Sequence, residues 1–174
     1  MSASTFTDSR DGKAYRTIKI GQKVWFAENL NFAEEGSRCY DNDPANGDKY
    51  GRLYDWETAV KACPPGWRLP TDEEWSAVEH IVGGRSIAGK KLKSPSGWNK
   101  GINETNEYGF SALPSGGGYG DGEFYGCGFN GFWWTGTEYG TGLAWFRVMG
   151  YDYDGMGRGY YGKTGLFAVR CIQK

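Results

Sequence analysis

The sequence is poorest in histidine. His80 is the one histidine among 174 residues, which excludes metal sites built on histidine pairs and leaves a Ser-His-Asp arrangement without spare parts. Excess charge is missing too: 20 Lys+Arg stand against 21 Asp+Glu, a net charge of −1. That balance provides no electrostatic footprint for nucleic acid and no polybasic face for a membrane surface. No apolar run approaches the roughly 18 residues of a membrane-spanning helix, so direct membrane insertion is not expected. The opening stretch Met1–Lys13 lacks the apolar segment of a signal peptide, and none is expected there.

What is abundant is glycine and aromatic surface. Glycine accounts for 29 residues and Phe, Trp and Tyr for 17% of the chain, against an average glycine usage of about 7%. Such a composition points to a loop-rich protein with an aromatic core and not to a helical bundle. The length suits a single domain, residues 1–174, with a core large enough to fold without a metal.

Local patterns divide the chain. Alternation over residues 14–20 and 23–27, broken by Gly21-Gln22, predicts a β-hairpin. The polar stretch Glu34–Ser37 and the Asp-, Asn- and Pro-rich stretch Cys39–Asp48 read as turn-rich surface loops. Over 53–63, Trp56, Ala59, Val60 and Cys63 fall on one helical face, and Pro64-Pro65-Gly66 ends it. A second helix is expected over 71–82. Thr71 and Glu74 form a capping box there, Trp75, Val78, Ile81 and Val82 a buried stripe, and Gly83-Gly84 a stop. From Ser115 onward the texture changes. Residues 116–165 hold 17 of the 29 glycines, interrupted by Phe132–Trp134, Leu143–Val148 and Leu166–Ile172, which read as strands of an antiparallel sheet.

Six ordered motifs carry a resemblance. They are Trp25–Leu30, Tyr50–Trp56, Cys63–Thr71 with Glu74-Trp75, Gly109–Pro114, Phe132–Thr135 and Phe167–Ile172. Together they resemble the Fibrobacter succinogenes major paralogous domain over about residues 5–173. The block Gly66–Trp75 is also similar to the formylglycine-generating, sulfatase-modifying enzymes. Both resemblances imply an α+β, C-type-lectin-like fold: two helices packed on small twisted antiparallel sheets with long loops. Trp67 and Trp75 are expected as buried anchors and Arg68 as a donor to loop carbonyls.

The resemblance also implies a scaffold disulfide between Cys63 and Cys171, and through it an oxidising compartment, extracellular or at the cell surface. Virion and cytoplasmic locations stay open at this stage. Members of the family often carry a second cysteine shortly after the equivalent of Cys39, where Gly47 stands here. That leaves Cys39 either paired with Cys127 or free. Cys127 does not match the cysteine pattern of the enzymes.

No other motif supports catalysis. Gly116–Gly120 lacks the Lys-Ser/Thr of a phosphate loop. Glu73-Glu74 sit where they complement a helix dipole. His80 is expected at the surface. No cofactor is expected. The Asp41–Asp43 group with Asp48, and Asp152–Asp154, match no EF-hand spacing, though a structural calcium stays open.

The region between Tyr119 and Leu166 mixes Tyr, Gly, Asp and Arg in the manner of a binding surface, where tyrosine supplies contact area at low entropic cost. The resemblance extends to C-type-lectin-like variable proteins of diversity-generating retroelements, in which this segment is the diversified receptor surface. Tyr, Asp, Arg, Gly, Cys and Phe belong to the palette that such adenine mutagenesis produces; Trp, Met and Lys do not. Trp133, Trp134, Trp145, Met149 and Lys163 are therefore expected as scaffold. The candidate ligand-binding residues are Tyr125, Phe129, Tyr139, Phe146, Tyr151, Asp152, Tyr153, Asp154, Arg158, Tyr160 and Tyr161. The expected function is non-catalytic recognition of a protein or carbohydrate ligand. The alternatives are a divergent formylglycine-generating-type oxidase and a fixed structural module of a cell-surface protein.

Overall fold

A computed structural model describes residues 4–99 and 104–174. The chain opens on β1 (Ser4–Thr7), β2 (Ala14–Ile20) and β3 (Lys23–Phe26). The last two form the expected hairpin, with Ile18 opposite Trp25. Gly21 turns it at φ 61°, a conformation that costs glycine little. The unexpected β1 lines the free edge of β2, where Phe6 packs on Phe26 and Trp67.

The stretch expected as loop after Glu34 is partly ordered. It contains β4 (Ser37–Arg38), a short 3-10 turn and α1 (Pro44–Tyr50). Asp43 caps that helix by accepting from the Ala45 amide at 3.0 Å, and Pro44 at the first helical position loses no hydrogen bond. The helix expected over 53–63 is shorter. β5 (Leu53–Tyr54) pairs with β4, and only α2 (Trp56–Ala62) is helical. Asp55 starts it by accepting from the Thr58 amide at 2.8 Å. Val60 is exposed, and Ala62 takes the buried position instead.

β6 (Trp67–Arg68) leads into α3 (Asp72–Ile81). The capping box is complete: the Glu74 amide donates to Thr71 Oγ1 at 3.2 Å and the Thr71 amide to Glu74 Oε2 at 2.9 Å. Trp75, Val78 and Val82 are buried as expected, but Ile81 is 43% exposed. Arg68 chiefly grips the Glu74 carboxylate, at 2.6 and 2.7 Å, and reaches a single carbonyl, that of Leu69. A further short helix, α4 (Ala88–Leu92), follows, and His80 is exposed.

The C-terminal half holds β7 (Ser115–Gly118), β8 (Phe124–Cys127), β9 (Asn130–Gly140), β10 (Leu143–Gly150), β11 (Gly157–Gly162), β12 (Phe167–Ala168) and β13 (Ile172–Gln173). The expected strand over 166–172 is two strands in different sheets. One sheet has the order β1-β2-β3-β13-β6, the other β11-β10-β9-β12-β5-β4, with β7 and β8 attached beside β9. The second sheet is mixed, because β12 and β7 run parallel to β9. The architecture is α+β, with few helices on curled sheets.

Two cores lie on either side of β9. Successive strand residues point to opposite faces, so Trp133 joins Trp25, Trp75 and Phe110 while Trp134 joins Tyr54, Trp56 and Phe167. Their indole N–H groups are satisfied by Asn29 Oδ1 at 2.9 Å and the Tyr54 carbonyl at 2.8 Å. The Cys63–Cys171 disulfide is present and ties the end of α2 to the chain just before β13.

Candidate functional site

The eleven candidate binding residues do not form one face. The pleat of β9, β10 and β11 sorts them into three places.

The first lies at one end of the β10–β11 hairpin, on the face that α3 covers in part. Trp145 stands opposite Tyr160 and Arg147 opposite Arg158. Tyr160 stacks on Tyr139 with parallel rings 3.9 Å apart, and Trp145 meets both edge-on at 5.8 and 4.9 Å. The Arg158 guanidinium covers the Trp145 ring at 3.5 Å. Tyr139 and Tyr160 are 48% and 49% exposed, an amphipathic aromatic patch of the kind that anchors interfaces.

Charge at the base of this patch is fixed. Asp72, the first residue of α3, accepts from Arg158 Nη2 at 2.7 Å and from buried Arg147 Nη2 at 2.7 Å. Arg147 also reaches Glu79 at 3.1 Å and Ser76 Oγ at 2.8 Å. Burial works to raise the Asp72 carboxyl, but the two guanidinium groups outweigh it and hold the group below the usual carboxylate range. The Asp72 amide donates to Thr137 Oγ1 at 3.0 Å, so the helix start, β9 and the arginines form one unit.

The second place is the opposite face of the same strands. Tyr125, Phe146 and Tyr161 surround Phe132 and buried Phe167, with ring distances of 5.0 to 6.0 Å. Burial pushes the Tyr125 hydroxyl well up. These three residues are half-buried packing partners on the face away from the exposed aromatic patch. The interleaved glycines also gain a packing reason. Gly159 lies opposite Phe146, and a β-carbon there would come within 2.9 Å of the Phe146 ring.

The third place is the β10–β11 connection, residues 151–156. Tyr151 meets Phe129 edge-on at 5.2 Å, and its amide donates to the Phe129 carbonyl at 2.8 Å. Buried Lys93, paired with Glu104 at 3.0 Å, donates to the Gly150 and Tyr153 carbonyls at 2.8 and 3.1 Å. The Lys90 amide donates to the Asp154 carbonyl at 2.7 Å, and buried Met156 plugs the loop into the core. The backbone is thus pinned while the side chains of Asp152, Tyr153 and Asp154 are exposed.

Neither remaining cysteine is bonded to the other: Cys39 is buried and Cys127 half-buried. Cys39 Sγ accepts from Arg52 Nη1 at 3.1 Å. Burial pushes the Cys127 thiol up, away from the thiolate that nucleophilic or redox chemistry uses. Asp43 is engaged as a helix cap. Among the described residues no group of three or more His, Cys, Asp or Glu side chains is placed to hold a metal ion. Within them, no helix is long and apolar enough to cross a membrane.

The model of the Fibrobacter succinogenes major domain matches residues 18–173. The chain belongs to this family. Neither a curated protein nor a solved structure matches it. The motifs that carried the resemblance lie mainly inside this Fibrobacter major domain: Trp25, Leu30, Leu53, Trp67, Trp75, Phe110, Trp133 and Val169 are all buried. Membership therefore describes the scaffold, while Tyr139, Tyr160 and the 151–154 side chains lie outside those motifs. Sequence patterns missed Asp72, Arg147 and Lys93 as the groups that hold these residues in place. Asp72 and Arg158 are 86 positions apart, and no local signal announces such a pair. Trp145, read as scaffold, is the half-buried base of the exposed aromatic patch.

Proposed function

We propose that this domain is a non-catalytic recognition module on a C-type-lectin-like scaffold. It binds a protein or carbohydrate ligand through Tyr139, Tyr160 and Arg158 around Trp145, together with Tyr151, Asp152, Tyr153 and Asp154 of the pinned connection. The observation that carries the reading is the exposed Tyr139–Trp145–Tyr160 cluster seated on the buried Asp72–Arg147 pair. Exposed aromatic side chains on rigid backbone lose little entropy on binding and recur as interface anchors. The raised Cys127 thiol supports a role without thiol chemistry. The disulfide is compatible with an oxidising compartment, extracellular or cell-surface.

Retroelement diversification is part of the proposal. Tyr139, Tyr160 and residues 151–154 combine palette membership with side chains largely outside the core. Sequencing the gene across its source population should find substitutions at these codons and none at Trp133 or Trp145.

The binding test uses purified protein on a glycan array and a random peptide-display library. The expected result is a selective binder whose affinity falls at least about tenfold in Tyr139→Ala/Tyr160→Ala, with the melting temperature held within a few degrees. Equal loss of folding and binding would refute the assignment.

A further inference from the structure

A cleft of about 550 Å³ opens between the β2–β3 sheet, the last turn of α1 and the residues Ser94, Ser96, Ser111 and Leu113. It lies outside the aromatic patch and shares no residue with it. Among its lining side chains Lys13, Arg16, Lys49 and Arg170 outnumber Glu28 and Asp48, although the whole chain carries −1. Ser94, Ser96, Ser111, Asn29 and Asn31 supply hydroxyl and amide groups.

Arg170 is the unusual group. It is 1% exposed yet contributes to the cleft floor. Nε donates to Asn29 Oδ1 at 2.9 Å, Nη1 to the Phe26 and Phe110 carbonyls, and Nη2 to the Ser111 carbonyl at 3.3 Å. Its plane lies over the Phe110 ring at 4.3 Å. A guanidinium has five N–H donors, so one on Nη2 has no acceptor among the described residues. No carboxylate pairs with Arg170 among them either. Glu28 acts only from a distance, its carboxylate being engaged with the Arg16 amide at 2.7 Å and guanidinium at 3.7 Å. Burial draws the Arg170 guanidinium down to about 9, which still leaves it charged at neutral pH. A buried cation without a paired anion, at the floor of an open cleft, is an incomplete arrangement.

We propose that this cleft binds a small hydroxylated carboxylate, an acidic monosaccharide of the uronate class. The carboxylate meets the free Nη2 proton of Arg170, and the hydroxyls face the serines and asparagines. The volume falls within the range of small-ligand sites, about 300–1,000 Å³. Inorganic phosphate lacks the carbon-borne hydroxyls that would pair with the serine and asparagine groups of the lining, so it has fewer partners there than a uronate.

The test is calorimetric titration of the full chain at low salt with D-glucuronate, D-glucose and inorganic phosphate. Saturable one-site binding of glucuronate is expected, with glucose and phosphate at least about tenfold weaker. Arg170→Lys leaves several buried carbonyls unpaired and endangers the fold, so the decisive variant is Ser96→Glu, at an exposed lining position. It should weaken glucuronate about tenfold with an unchanged melting temperature. Absence of glucuronate binding, phosphate or glucose binding as tight, or an unaffected Ser96→Glu variant would each overturn the proposal.

Discussion

At the scale of single residues, Asp72 bears the most. It neutralises Arg147 and orients Arg158 on Trp145. Asp72→Ala strips a buried arginine of its closest partner, and such a loss costs about 3 kcal/mol or more. A urea denaturation series would read this as a lowered midpoint with an unchanged slope. The sign of the pH dependence follows from the same contacts. The folded carboxyls of Asp72 and Glu74 are both held below their ordinary values. Their contribution is fully present above the unfolded value near 4 and is lost as the pH falls through the lower folded values. Stability should therefore decline steeply on acidification below about pH 4, and Asp72→Asn should flatten part of that decline.

Gly47 is the second informative residue. A β-carbon there would stand 2.6 Å from Cys39 Sγ and 3.7 Å from its Cβ, close to the separation of a disulfide's β-carbons, about 3.8 Å. Gly47→Cys should bond to Cys39 and, by loop closure, add about 2–3 kcal/mol. The check is a thiol titration, in which the two free thiols of Cys39 and Cys127 become one, together with a raised denaturation midpoint.

At the scale of elements, α3 links scaffold and surface. Its capping box sets where Asp72 begins the helix, so the local signal at Thr71 and Glu74 governs a contact far along the chain. Thr71→Ala should cost about 1 kcal/mol, read by chemical denaturation, and loosen the Arg158–Asp72 pair, read by the Trp145 fluorescence. This helix and the β2–β3 hairpin were legible because a cap, a turn glycine and a periodic stripe act within one segment. β11 was not. Its glycine-rich sequence has no strand pattern of its own, and it becomes a strand because Phe146 and Val148 fill the space opposite Gly159 and Gly157. The short strands β4 and β5 were hidden for the same reason: two residues carry no periodicity, and only their partners make them strands.

At the scale of the whole molecule, the aromatic composition divides into two populations. Trp25, Trp75, Trp133 and Trp134 make the two cores around β9, and these were readable as scaffold. Tyr125, Phe146 and Tyr161, expected at the binding surface, turn inward to Phe167. Sequence spacing could not separate them from Tyr139 and Tyr160, because residue parity reveals a face only once the strand and its register are known. The other candidates sit at the two ends of the β9–β10–β11 meander, anchored by Asp72–Arg147 at one end and Lys93–Glu104 at the other.

The central claim is that the residues proposed for recognition are independent of the fold. The measurement that tests it most directly is a saturation scan of every position, selected for folding by resistance to protease. The account predicts that Tyr139, Asp152, Tyr153, Asp154 and Tyr160 accept nearly all substitutions, while Asp72, Arg147, Lys93, Trp133 and Trp134 accept few. A scan in which Tyr139, Tyr153 and Tyr160 are as intolerant as Trp133 would contradict it, and would make the exposed tyrosines part of the scaffold.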